Sequence, residues 1–286
     1  MKTLKIQLAV ILAFVFSSVT LFAQGDFVSA TEAGKLMKDK NTVIISAQSQ
    51  KNYKTSHIKN AIFIDHHDLY KAGKPEGILK STTELAKYFG SKGVSDNNKI
   101  LLYDDGTNKY STRIYWILKY LGAPNVKILH KDMGAWRKAR IMITKTVTKS
   151  KTATFTPKVN TSIYADYNYV KANIKKSNVV FIDVREITEY NGTSTKPVSK
   201  GHLPGAVHIE WKQVEGASGA LLPAADLTKL FTQNGVTKDK TVVLYCATSV
   251  RAGIVFVALK SLGYSKVKVY DGAYNEWEAK GGAFEK

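Results

Sequence analysis

The chain has a single cysteine in 286 residues, so no disulfide can form within it and no disulfide framework holds it together. Acidic residues are scarce, 23 against 42 Lys and Arg, which leaves a formal charge of +19. The basic excess is spread along the whole sequence. It shows no dense run and no zinc-finger, recognition-helix or RNA-motif signature, so no nucleic-acid partner is expected and small anions are the favoured company of this field. The bias of disordered or fibrous proteins is also missing, and 44% hydrophobic residues over this length support about two ordinary domains.

Long apolar runs are lacking except at the start. Lys2 and Lys5 precede an apolar stretch over residues 6–22, diluted by Gln7, Ser17, Ser18 and Thr20, and Ala23 is followed by Gln24. That is the layout of a secretory signal peptide over 1–23, cut after Ala23. The stretch is at the short limit for a bilayer span, which disfavours an uncleaved anchor, and no Cys stands near the cut to take a lipid. The expected product is exported, periplasmic or secreted, monomeric, and without an integral membrane span after cleavage.

The two halves of the remaining sequence repeat each other. Val43-Ile44-Ile45-Ser46 corresponds to Val179-Val180-Phe181-Ile182-Asp183, and Ser56-His57-Ile58-Lys59-Asn60-Ala61 to Gly201-His202-Leu203-Pro204-Gly205-Ala206. Lys99-Ile100-Leu101-Leu102-Tyr103 matches Thr241-Val242-Val243-Leu244-Tyr245. Two helix ends then close on Gly122 and Gly263, and a further pair of strands precedes Trp136 and Trp277. Short apolar strands alternating with helical segments give an α/β fold twice over, each domain a mostly parallel sheet flanked by helices on both faces. The expected domains are 24–140 and 161–286, joined by a Thr- and Lys-rich extended linker at 141–160 wrapped on the surface.

Cys246 follows the apolar strand directly and precedes a helical run at 252–262, which puts it in a strand-to-helix turn at the carboxyl end of the sheet. Amides of such a turn converge on an anion, and the helix dipole and Arg251 favour the thiolate, the nucleophilic form. A buried inert thiol is the ordinary fate of a free cysteine, but it has no need of this position.

Cys246-Ala247-Thr248-Ser249-Val250-Arg251-Ala252-Gly253 resembles the active loop of rhodanese sulfurtransferases, a cysteine with four residues before an arginine. Asp183-Val184-Arg185, Gly201-His202-Leu203-Pro204-Gly205-Ala206, and Tyr270-Asp271-Gly272 with Trp277 resemble three further motifs of that family, in its order. The likeness covers nearly the whole chain after residue 23. It implies a catalytic Cys246 that carries sulfur as a persulfide, with a donor-binding Arg185 and Arg251, loop residues Ala247, Thr248, Ser249 and Val250 cradling the sulfur, and Asp183 fixing the loop or orienting Arg185. No cofactor or metal is implied. The partners implied are a small anionic sulfur donor, thiosulfate ahead of 3-mercaptopyruvate, and a thiol or cyanide acceptor, with ping-pong kinetics.

In the first half, Asp104 stands where Cys246 stands in the second, as in tandem rhodaneses, so one working domain and one covering domain are expected. Adjacent Asp104 and Asp105 point apart on an extended chain and make a poor metal site, His66-His67 lacks ligand spacing, and His57 and His202 occupy the same repeat position, which favours a structural role. The rival readings are a phosphatase or arsenate reductase of related architecture, which would use a loop one residue longer, and a non-catalytic sulfur carrier. Arg251 leans towards thiosulfate, because the mercaptopyruvate branch commonly has Thr there; Ser249 and Ala247 depart from the commoner Gly and basic residue.

Overall fold

The computed structural model describes residues 25–286, so the expected signal peptide lies outside the described residues. In the first half the elements run β1 (Phe27–Val28), α1 (Ala30–Leu36), β2 (Thr42–Ser46), α2 (Gln50–Thr55), β3 (His57–Ile58), β4 (Ile62–Phe63), α3 (Thr82–Ser91), β5 (Lys99–Tyr103), α4 (Lys109–Tyr120), β6 (Val126–Leu129), α5 (Met133–Lys138) and β7 (Ile143–Thr144). In the second they run β8 (Tyr164–Ala165), α6 (Tyr167–Asn173), β9 (Val179–Asp183), α7 (Ile187–Tyr190), β10 (Val207–His208), α8 (Ala224–Gln233), β11 (Thr241–Tyr245), α9 (Ala252–Ser261), β12 (Val267–Tyr270) and α10 (Ala273–Ala279).

Each half carries a five-stranded parallel sheet, in the order β1-β6-β5-β2-β4 and, for the second, β8-β12-β11-β9-β10. The orders are identical when the repeat is overlaid, and helices cover both faces, as the alternation of strands and helices requires. The central strands β5 and β11 are near-continuous apolar runs because neither face meets water; Val242, Val243, Leu244 and Tyr245 are all fully buried. Each ends in a tyrosine whose hydroxyl accepts the N–H that starts the repeated His segment, Ile58 for Tyr103 and Leu203 for Tyr245.

The expected linker is less free than its composition suggests. Ile143–Thr144 pairs antiparallel with His57–Ile58, Phe155 is buried, and Lys158 and Asn160 donate their N–H groups to the carbonyls of Leu121 and Tyr120. The segment is a strap tied to the first half. No helix among the described residues is long and apolar enough to cross a membrane.

The halves meet through α4 and α9. Ala252, Gly253, Ile254, Val255, Phe256, Val257, Ala258 and Leu259 are all buried, so α9 is apolar on every side because it is covered on every side. The crossing depends on Gly253: a Cβ there would lie 2.8 Å from the Thr112 carbonyl carbon and the Arg113 nitrogen. Beside it Arg113 and Asp271 form an ion pair across the interface at 2.9 Å, with side chains 0% and 2% exposed. Loss of either partner would strand a charge at a cost of about 3–5 kcal/mol.

Candidate active site

Cys246 sits where β11 ends, level with Val184 after β9, and the chain turns through residues 246–251 into α9. Ser249 takes a left-handed conformation (φ 60°) and its hydroxyl bonds the Tyr270 carbonyl. The carbonyls of Cys246 and Ala247 accept from the N–H groups of Tyr274 and Asn275 at 3.0 and 3.2 Å. With its carbonyls tied back, the turn leaves the N–H groups of residues 247–251 without an acceptor among the described residues.

The first half shows what such a turn holds. Asp104 Oδ1 accepts from the N–H groups of Gly106 and Asn108 at 2.8 and 3.0 Å, and Oδ2 from those of Tyr110 and Ser111 at 3.1 Å and from the Ser111 hydroxyl at 3.2 Å. A carboxylate in place of the cysteine therefore fills its own anion cradle. In the second half the corresponding turn presents a thiol, and its amides have no protein acceptor among the described residues.

Arg251 grips Glu189 through both terminal nitrogens, at 2.5 and 2.9 Å. Burial works against the Glu189 carboxylate, but its bonds and charge pairing with Arg251 outweigh it and hold its pKa below the ordinary value. Burial also opposes the Arg251 charge, but Glu189 and Cys246 more than compensate and keep the guanidinium firmly protonated.

Arg185, the second expected donor-binding residue, is enclosed by protein partners. Its guanidinium is 1% exposed, with Nε and Nη2 bonded to Asp183, Nη2 to the Gly201 carbonyl at 2.7 Å and Nη1 to the Ser199 hydroxyl at 3.2 Å. Its face lies 4.1 Å from the Tyr274 ring centroid. These bonds brace β9 against the Gly201 segment. Asp183 does orient it, and also accepts the Arg185 N–H at 3.0 Å.

Cys246 itself is 1% exposed. Segment 70–79 of the first half packs on the same turn, where Gly77 (φ 94°) lies so close that a Cβ would stand 2.8 Å from that of Thr248. The Leu79 N–H donates to Asp271 at 2.9 Å, Arg113 Nη2 to the Gly77 carbonyl at 3.2 Å and Arg113 Nε to the Tyr70 hydroxyl at 3.3 Å. Burial pushes the Tyr70 phenol above its usual range, and Cys246 is near enough to add to that shift. The arrangement is reciprocal: the second half covers the Asp104 turn, Asn108 Nδ2 donating to Glu215 and to the Gly219 carbonyl at 2.7 Å each. Burial, with Asp104 nearby, raises the Glu215 pKa to about 7 despite the Asn108 bond.

The remaining sequence candidates resolve as follows. His57 and His202 stack on Tyr53 and Tyr190 at 3.9 and 3.7 Å, with Nδ1 against the carbonyl of the same tyrosine, so both are structural. Asp105 is taken up by the Ser49 N–H, Gln48 and Asn52. The reading of His66-His67 needs amending: Asp65 joins them, and one ligand atom from each lies within 4.8 Å of the others. A surface cavity of about 850 Å³ bordered by Lys59, Met142, Thr144 and Lys149 does not include Cys246. Glu189 and Tyr70 escaped the sequence reading because their partners are distant in sequence.

Two segments, residues 29–139 and 166–280, match the rhodanese-like domain family. The thiosulfate sulfurtransferase of Pseudomonas aeruginosa is 27% identical over 236 residues, covering 82% of this chain and 87% of that one. The sulfur carrier protein TtuD of Thermus thermophilus is 30% identical over 239 residues, covering 79% and 83%. The crystal structure of the 3-mercaptopyruvate sulfurtransferase SseA from Escherichia coli superimposes with a TM-score of 0.78 at 25% identity, over 87% of this chain and 98% of that one. With the same fold in both halves, and a cysteine at the turn of only one, the chain belongs to the rhodanese-like sulfurtransferase family as a tandem of two rhodanese-like domains.

Proposed function

We propose that the protein moves a sulfane sulfur from thiosulfate, in preference to 3-mercaptopyruvate, through a persulfide on Cys246 to a thiophilic acceptor such as cyanide or a thiol. The observation that carries this reading is the contrast between the Asp104 turn, whose amides close on a carboxylate, and the Cys246 turn, whose amides have no acceptor among the described residues. In the first step the thiolate attacks the outer sulfur of thiosulfate, the S–S bond breaks and sulfite leaves with the bonding pair, giving Cys246–S–S⁻. In the second, cyanide attacks the outer sulfur, and thiocyanate and the thiolate separate. The amides of residues 247–251 and Arg251 stabilise the charge on the persulfide, and dividing the transfer into two displacements lowers each barrier. The Arg251 loop position supports thiosulfate, as does the name of the Pseudomonas relative.

The four residues between Cys246 and Arg251 support a sulfur atom over the larger phosphate of the related phosphatases. The basic, cysteine-poor composition and the layout of residues 1–23 support an exported monomer acting on small molecules. Intact mass after incubation with thiosulfate tests the chemistry: wild type gains one sulfur and Cys246→Ser gains none. Equal labelling of both would remove Cys246 from the mechanism. A TtuD-like carrier role is favoured instead if wild type is labelled but the isolated protein fails to turn over thiosulfate and cyanide.

A further inference from the structure

Three guanidinium groups lie around the Cys246 turn and the segment that covers it, and each already has a carboxylate of its own. Arg185 faces Asp183, with side chains 1% and 0% exposed. Arg113 faces Asp271 at 0% and 2% exposed, and although its Nη1 has no acceptor it is sealed in the interface. Arg251 faces Glu189 and at 19% exposed is the one that solvent reaches. In spite of the +19 chain, the floor of the site therefore offers an incoming oxyanion no unpaired guanidinium. Exposed Lys71 and Lys74 on the covering segment attract anions but fix no geometry.

Resting on the persulfide reading above, we infer that Glu189 is a specificity-determining residue that competes with the donor's oxyanion for Arg251. Its grip is firm. Oε2 also accepts the Glu186 N–H at 3.2 Å and its backbone carbonyl accepts the Ser199 hydroxyl at 2.5 Å, so the carboxylate is anchored at both ends of the residue. Arg251 meets it with two parallel bonds, the geometry a sulfonate oxygen pair would otherwise take. A donor whose leaving group is an oxyanion, as sulfite is for thiosulfate, must displace Glu189 or bind beside a neutralised pair. A donor that leaves as a thiolate makes no such demand. An organic persulfide R–S–SH meets this requirement: Cys246–S⁻ attacks its outer sulfur, giving Cys246–S–SH and R–S⁻, with no oxyanion to seat. The native site thus discriminates against thiosulfate relative to organic persulfides, by an amount that Glu189 sets.

The test compares thiosulfate with 2-hydroxyethyl persulfide in wild type, Glu189→Gln and Glu189→Asp. Gln keeps the size and the Glu186 bond but removes the charge, so KM for thiosulfate is expected to fall about tenfold, the order of one charge-assisted bond. The kcat for thiosulfate and both constants for the persulfide stay within a factor of about two. Glu189→Asp, which keeps the charge, retains the wild-type preference. Sulfite titrated calorimetrically into Cys246→Ser reads the same competition without turnover, binding about tenfold tighter when Glu189→Gln is added. A thiosulfate KM that holds or rises, a parallel change for both donors, or unchanged sulfite affinity overturns the inference. Failure of either donor to place sulfur on wild-type Cys246 defeats the persulfide reading instead, and the sulfite titration still decides the role of Glu189.

Discussion

Glu215→Gln provides a quantitative probe of the reciprocal interface. Burial raises the Glu215 pKa from 4.5 to about 7, so the folded state prefers the protonated side chain. The contribution is fully present below the unfolded value and is lost as pH rises through about 7. Taken at face value the shift corresponds to roughly 3 kcal/mol, and screening of this partly exposed group reduces that to about 1.5 kcal/mol. Gln stays neutral at every pH, and its Oε1 still accepts from Asn108 as the Glu215 oxygen does at 2.7 Å. Calorimetric melting of both proteins should therefore coincide at pH 4.5 and diverge above pH 6, with the variant about 3–6 °C more stable at pH 8. Taking the difference between variant and wild type at each pH cancels the other titrations of the chain. A gap that does not change with pH, or one that favours wild type at pH 8, would refute the burial of an ionising carboxylate against the Asp104 turn.

Three further outcomes follow from the geometry. Asp104→Ala leaves four N–H groups and a hydroxyl without their acceptor and should cost about 3 kcal/mol or more in urea unfolding; a neutral effect would mean that the turn does not need an anion. Arg185→Leu strands buried Asp183 and should cost about 3–5 kcal/mol; a rise in donor KM with stability intact would refute the bracing role and mark Arg185 as a donor-binding residue. Gly77→Val, placed at φ 94° against Thr248, should displace the covering segment and speed labelling of Cys246 by a bulky thiol reagent several-fold; an unchanged rate would mean that the thiol is reached from elsewhere.

Much of this molecule was legible as spacing. The duplication, the parallel sheets and the Cys246 turn are written in contiguous residues, because an apolar strand, a tight turn and a helix are local matters. The partners of Arg185 were hidden for the opposite reason: its direction is set by Ser199 and Gly201, which lie 14 and 16 residues further on. Glu189 meets Arg251 across 62 positions, and no local pattern announces that contact. The tie of the extended segment 141–160 to the first half was not legible because pairing over two residues, Ile143–Thr144 with His57–Ile58, is too short to leave a periodic signature. Tyr70 and Gly77 entered the site only through the docking of one half against the other, a relation that neither half encodes alone.

Cys246 is buried in a turn on which the opposite half of the same polypeptide packs. Two sulfurs must approach to about 2.05 Å to join, and in a collision between two copies neither molecule presents one. A lone thiol without a resolving partner is thereby kept from joining two copies through a disulfide.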